Sequence, residues 1–477
     1  MATKKSAPKS VNLFGRRKIF VDTDDINAGN IRDILKDVLP AFHLNQYESE
    51  YLYEYYKGNQ PVLQRQKFVR PEINNKLVEN HAYEIVTFKT SYLFGEPLTY
   101  ARRSLMKGAD DSGENNNEVT RRIAELNNIM YRCQKAAVDK EIADWMHICG
   151  RGYRFIVPDS DEGIQIGSLD PRNTEVCYSR SLGNPPVMAF QEIVSRNEPV
   201  KYEVFTKNRR FLVQEDNVVE EKHAYGALPI VEYPANSARL GAFEVVLSLL
   251  DAINLTTSNR LDAIEQFVQG FLRCINVKID KELWSDLRDE GLLQFQSDST
   301  NPSSVDFISQ ELNQGEAQIE VEHLYQQALI ICGMPDRNGA NRTTGDTGQA
   351  VILRDGWTAA ESCARDTQIS FERAEKDFLR FALKILRDKN LLDLDVNDVA
   401  VKFTKNNTDN ILTKAQALQI MLECNIHPEW AIKKSNLFDD PNRVYLDSKP
   451  YLEQAAAAAA SQKLPNDAPE QNEKQNV

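Results

Sequence analysis

Paired cysteines are missing from this sequence. The seven cysteines, Cys133, Cys149, Cys177, Cys274, Cys332, Cys363 and Cys424, are scattered, odd in number and form no CxxC pair. That excludes a disulfide framework and a cysteine zinc site, and reads as reduced, mostly buried thiols. A long apolar run is missing too. The longest, 240–253, is interrupted by Glu244, Ser248 and Asp251, short of the ~18–20 uninterrupted residues a membrane span needs. The opening MATKKSAPKS is followed by Asn12, Arg16 and Arg17 in place of an apolar h-region, so no secretory signal is read. The expectation is a protein with no membrane partner that stays in the cytoplasm of the cell making it. An excess of positive charge is also lacking. Lys and Arg number 57 against 70 Asp and Glu, a net charge of −13 with a pI near 5.2. A module that grips DNA neutralises phosphates with a basic surface. This balance argues against such a module, yet suits a surface past which a duplex slides without adhering.

Catalytic signatures are absent as well. The six histidines, His43, His81, His147, His223, His323 and His427, are far apart and show neither HExxH nor HxH spacing, so no metal is expected. The loop Asn338–Gly348 is rich in glycine and threonine but lacks the Lys-Ser/Thr of a P-loop and follows a helix rather than a strand. It reads as a connector between two helices. No catalytic residue and no cofactor is assigned. Glu320, Glu322 and His323 read as a solvated helix face, as do Asp22, Asp24 and Asp25 in the N-terminal segment. The tyrosines at 47–56 could stack on bases, but near-helical spacing makes core the better reading.

What is present is length for more than one core and a clear change of local grammar. At 477 residues, two to four folding units are expected. Helical spacing begins near Asn30 with Ile31, Ile34, Leu35, Val38 and Leu39, and Pro40 is expected to break it. A second helix carries the tyrosine run and stops at Gly58. A third is expected from Pro71 to Phe94, and a long one over 118–149, ending at Gly150-Arg151-Gly152. Residues 153–225 then give short β-rich runs at Tyr153–Val157, Thr174–Tyr178, Val187–Val194, Tyr202–Phe205 and Arg210–Val213, bounded by turn residues. These predict an antiparallel sheet of about five or more strands. Residues 226–241 read as a connector. A helix after Gly241 bears the stripe Phe243, Val246, Leu247, Leu250, Ile253, Thr257, Leu261, Ile264 and Phe267. A β-rich insert over 270–310, a helix over 316–332 and a long helix from Gln349 to Lys389 follow. The last carries its own stripe, Trp357, Ala360, Ala364, Thr367, Phe371, Ala374, Phe378, Phe381 and Ile385. Residues 409–437 read as a small helical module, and the polar tail from Ser461 as disordered. No internal repeat is seen. The fold class is α+β.

Several stretches carry a resemblance. They are Tyr55-Tyr-Lys-Gly-Asn-Gln-Pro61, Arg70-Pro-Glu-Ile-Asn-Asn75, Tyr92-Leu-Phe-Gly-Glu-Pro-Leu-Thr-Tyr100, His223–Pro234, Gly241-Ala-Phe-Glu-Val-Val with Leu250-Asp-Ala-Ile-Asn254, and Gly345-Asp-Thr-Gly before Gln349-Ala-Val. In this order and spacing the chain resembles the portal proteins of tailed bacteriophages, in the group typified by the portal of a Bacillus siphophage. The resemblance spans roughly 30–450. Many members carry Ser-Gly-x-Ala where this chain has Thr347-Gly-Gln-Ala350, and the alanine run 455–460 and tail have no counterpart among the motifs.

The resemblance implies a division into parts. Residues 1–25 would be a flexible arm, 26–240 the wing, 241–269 a stem helix, 270–312 the clip and 313–335 a second stem helix. Residues 336–348 would be the tunnel loop, 349–404 a long wing helix with its return, 405–455 the crown and 456–477 a disordered tail. It implies a homo-oligomeric ring, typically of twelve subunits, at the capsid vertex of the virion, assembled in the host cytoplasm. Double-stranded DNA would pass through it without sequence specificity, in packaging and in ejection. Implied partners are the terminase large subunit, a head-completion adaptor, the scaffold and the major capsid protein. Phe243, Val246, Leu247, Leu250, Ile253, Leu261 and Ile264 would pack stem helices of neighbouring subunits together. Arg337, Arg342, Thr343 and Thr344 would face DNA. A different ring-forming phage connector or adaptor is the alternative, and a nucleotide hydrolase using the 338–348 loop the more distant one.

Overall fold

Apolar residues at helical and strand periods build the chain around one long helix and two sheets. The computed structural model describes residues 15–103, 113–215, 217–268, 271–275, 304–308, 314–336, 356–404, 411–435, 437–438, 444–451 and 454. Two compact units emerge, 1–405 and 406–477, the second beginning within a residue of the expected crown boundary.

In the first unit, β1 (Ile19–Val21) precedes α1 (Ile31–Tyr56), α2 (His81–Phe94), β2 (Thr99–Arg102), α3 (Gly113–Arg132) and α4 (Lys135–Cys149). Strands β3 (Arg151–Asp159), β4 (Gly163–Leu169), β5 (Thr174–Ser179), β6 (Pro186–Ile193), β7 (Lys201–Phe205), β8 (Arg209–Gln214), β9 (Asn217–Lys222) and β10 (Ile230–Pro234) follow. They form a six-stranded sheet, β1-β5-β6-β7-β8-β9, and a three-stranded sheet, β10-β3-β4. The chain continues through α5 (Leu247–Val268), β11 (Phe271–Ile275), β12 (Ser304–Ile308), α6 (Gln314–Cys332), α7 (Trp357–Asp388) and β13 (Val399–Lys402). Strand β11 pairs antiparallel with β12, and β13 with β2. The second unit holds α8 (Ile411–Glu423) and α9 (Pro428–Ser435).

All five expected β runs are strands, and the expected stripe of α7 is its buried face: Ala360, Ala364, Phe371, Ala374, Phe378, Phe381 and Ile385 all lie in the interior. Four boundaries differ from expectation. Pro40 does not break α1, which runs through it. The ring removes the bond to the carbonyl of Lys36, but both residues lie on the solvent side, where water serves that carbonyl. The expected helix over 118–149 is two, because Gln134 adopts a left-handed backbone with φ of 54°. The expected helix over 71–94 begins only at His81. The N-terminal arm is folded from Gly15 onward: β1 runs parallel to β5, and the buried Arg16 sits between Glu48 (3.1 Å) and Glu244 (2.7 Å). At the end of α4 the chain reverses at Gly150, with φ of 79°, where a Cβ would lie 2.0 Å from the carbonyl oxygen of Arg239. Only glycine fits both demands.

Between the helices and the three-stranded sheet lies a fully buried ionic cluster. Glu375 of α7 takes Arg154 of β3 at 2.8 Å and Lys135 of α4 at 2.9 Å. It also accepts hydrogen bonds from Tyr100 of β2 at 2.5 Å and Tyr233 of β10 at 2.8 Å. Asp139 pairs with the same Lys135 and Arg154, so two cations meet two carboxylates. The Arg154 guanidinium is flanked by the rings of Phe378 (4.5 Å) and Tyr233 (4.8 Å). Burial alone would raise the Glu375 carboxyl, but Arg154 and Lys135, with the Tyr100 hydrogen bond, hold it at about 2. Removing one member of such a cluster strands the others without compensation. Glu375→Gln should therefore lower unfolding free energy by about 3–5 kcal/mol, read by urea titration. A loss under 1 kcal/mol would show that the cluster is not what joins these elements.

Candidate functional site

The helices α5 and α6 and the strand pair between them are the candidate functional element. At its base, an apolar cluster ties the pair to the rest of the chain. Phe243, Val246, Leu250 and Ile253 pack with Val321, Ala328, Leu329 and Cys332 of the α6 side, Tyr51, Leu52 and Tyr55 of α1, and Ala82, Ile85 and Val86 of α2. Tyr51 and Tyr55 are thus core, as the spacing suggested, and the Tyr55 hydroxyl donates to Asp251 at 2.9 Å.

Beyond Ile253 the buried face of α5 turns polar. Asn254, Ser258 and Asp262, one helical step of four apart, are all buried. Each accepts a backbone N–H from one extended segment: Glu79 N–H to Asn254 Oδ1 (2.8 Å), Leu77 N–H to Ser258 Oγ (3.0 Å) and Asn75 N–H to Asp262 Oδ1 (2.7 Å). The match is geometric. Four helical residues rise about 6.0 Å, and two extended residues rise about 6.6 Å, so alternate amides of a strand-like segment meet every fourth side chain of a helix. The strap formed by 61–80 is fastened further by Lys67 and Arg65, each 3.0 Å from Asp262. The Thr257 hydroxyl donates to Glu79 at 2.7 Å. These amides have no ladder partner, and the three α5 side chains supply the acceptors that burial demands. This is why 71–80 is not helical.

The strap leads into α2 at His81, which joins it to α6. The ring lies 2.9 Å from Glu84 and 3.4 Å from Glu79 and faces Tyr325, with 4.5 Å between centroids. The Tyr325 hydroxyl in turn donates to Glu84 at 2.9 Å. Burial pulls the imidazole down, but its bonds to Glu79 and Glu84 outweigh that and carry it from 6.5 up to about 9.

The expected inter-subunit residues divide into two groups. Phe243, Val246, Leu250 and Ile253 are at most 1% exposed within the chain itself, so their apolar area is already covered and not open to a neighbour. Leu247 is partly buried against the same cluster, Leu261 is half-buried, and Ile264 is 44% exposed. Val245 and Leu255 are exposed on the same helical region. Sequence periodicity placed all seven on one stripe, and could not show that its first half is consumed by α1, α2 and α6. It also missed Asn254, Ser258 and Asp262. Their i, i+4, i+8 spacing was the available signal, and it is polar, so it read as surface. Arg337, Arg342, Thr343 and Thr344 lie outside the described residues, as does most of 270–312. Helix α6 ends at Gly333, with φ of 64°, as expected. Glu320, Glu322 and His323 are exposed on it.

No group of three or more His, Cys, Asp or Glu that could hold a metal occurs among the described residues, and no described helix is long and apolar enough to cross a membrane. The assembly these parts define is a scaffold: an α+β body carrying a helix, a strand pair and a return helix. Residues 44–463 match the family described as phage portal protein, SPP1 Gp6-like, and the chain belongs to that family, a structural one. No curated protein matches the chain.

Two outcomes test the strap. Asp262→Ala removes the acceptor shared by Asn75, Lys67 and Arg65 and should cost about 2–4 kcal/mol, with protease cleavage appearing within 65–79. An unchanged digest would show the strap held by other means. The His81 contribution is present in full below pH 6.5 and is lost as pH rises through about 9. Unfolding free energy should therefore fall across that window, and His81→Gln should flatten this part of the profile.

Proposed function

We propose that this chain forms the portal ring at the capsid vertex of a tailed phage, through which double-stranded DNA is packaged and later leaves. The observation that carries the reading is the family match over 44–463, joined to the order helix, strand pair, helix over 247–332. In this reading α5 and α6 are the stem, β11 and β12 begin the clip, and 336–348 is the tunnel loop with Arg337, Arg342, Thr343 and Thr344 toward DNA. The wing is 26–240 with 349–404, and 405–455 is the crown. The clip would meet the terminase large subunit during packaging and a head-completion adaptor afterwards. Scaffold and major capsid protein would surround the ring during assembly.

Two features support a conduit rather than a grip. The net charge of −13 disfavours phosphate adhesion along a wall and leaves contact to a few cationic or polar side chains. The stem helices are also anchored within the chain, by the apolar cluster at their base and the strap along α5. Each subunit would thus contribute a stiff strut, with Leu261 and Ile264 open to the next copy.

Electron cryomicroscopy of the purified full chain tests the reading. The expected result is a closed ring of about twelve copies with a channel wide enough for a duplex and 336–348 facing it. A monomer or small dimer that persists after scaffold protein is added would overturn it. Ile264→Asp should shift the population from rings toward single subunits without loss of the folded state.

A further inference from the structure

The strap does more than brace α5, because its tip carries an aromatic side chain turned out into solvent. Phe68 is 97% exposed and Val69 77%, while both flanks are fixed. On one side Lys67 and Arg65 are held by Asp262. On the other Ile73 is buried at 2% exposure, and its N–H closes a turn onto the carbonyl of Arg70, which has a left-handed backbone with φ of 50°. A phenyl ring and an isopropyl group held in water on an anchored turn forgo the burial such groups normally reach, the mark of a binding knob. The knob is set in positive charge. Residues 63–76 contain Arg65, Lys67, Arg70 and Lys76 against one acid, Glu72.

The complementary surface is on the same chain. Helix α6 contains Glu316, Glu320 and Glu322 and no Lys or Arg. Its outward face also exposes Ile319 (66%) and Ile330 (67%). It is an acidic, aliphatic strip, as the tip is a basic, aromatic point. In a closed ring of identical subunits each contact is heterologous: one patch of a copy meets a different patch of the next, and no surface meets itself. A knob and a strip of opposite charge on one chain are what such a contact requires.

We propose that the 66–72 tip docks on the α6 face of a second copy of this chain, with Phe68 and Val69 seated among Ile319 and Ile330 and the tip cations facing Glu316 and Glu320. This rests on the ring reading and adds to it a directional contact between neighbours. The strap then has two ends of use: it braces its own stem helix and holds the next.

The test uses full-length chains with p-benzoylphenylalanine at position 68, assembled into rings from a mixture of isotopically light and heavy subunits, irradiated and mapped by mass spectrometry. The expected product is a light–heavy cross-link between position 68 and the 314–332 peptide. Cross-links confined to one chain, to another segment of the neighbour or to a different protein, or none from intact rings, would each overturn the docking. Failure of wild-type chains to form rings at all would instead remove the reading on which it stands. A second arm keeps the outcome independent of the probe. Phe68→Asp lies on the surface and should leave the melting temperature unchanged, while moving ring formation to about tenfold higher concentration. Glu320→Lys should weaken rings similarly, and adding Arg70→Glu should restore them. Rings of Phe68→Asp as stable as wild type would sink the proposal.

Discussion

One buried carboxylate sets the geometry of the first unit. Glu375 on α7 binds groups from α4, β2, β3 and β10, four elements spread over more than a hundred residues of sequence. An ionised group in such a place is tolerated only when every lone pair is matched, so the cluster forms completely or costs several kcal/mol. Such a requirement fixes position more tightly than apolar packing does, since a methyl group accepts many neighbours and a carboxylate few. Two more buried pairs extend the same logic across the six-stranded sheet. Arg151 meets Glu175 at 2.6 Å, and Arg239 meets Glu232 at 2.6 Å. Helices and sheets from both ends of the unit are thereby held in one arrangement, and α5 and α6 project from it.

The sequence made the repeating elements legible and left the aperiodic ones hidden. The stripe of α7 and the five β runs follow from apolar spacing, and the structure buries them as that spacing requires. Helix α1 was split at Pro40, because proline chemistry is local and the solvation of the Lys36 carbonyl is not. The strap escaped notice for a related reason. Residues 75, 77 and 79 have no strand partner, and their three acceptors stand about 180 residues later on a helix. No window of local sequence contains both halves. Glu375 hid in plain view within the α7 stripe, where a lone glutamate among apolar positions reads as an interruption. The family motifs reached the architecture, and the residue-level partners came only from coordinates.

The stem helix changes character along its length. Its first half is anchored by side chains already buried against α1, α2 and α6, and its second half by a polar row bound to backbone amides. An apolar face would tolerate small rotations of the helix about its axis, because dispersion contacts are individually weak and forgiving. Hydrogen bonds to fixed amides tolerate far less. The portion of α5 nearer the strand pair is therefore held in rotation by direction-sensitive contacts, and the portion nearer the core by volume.

The strap and α5 measure each other. Deleting or adding one residue between Asn254 and Ser258 would turn every later acceptor by about 100° around the helix. The same change between Asn75 and Leu77 would point the amides to the opposite side. Exchanging one acceptor for another of similar reach keeps the bonds. These two segments are thus free to drift in spelling while their lengths stay frozen, and relatives that keep this strap should show gaps everywhere except here.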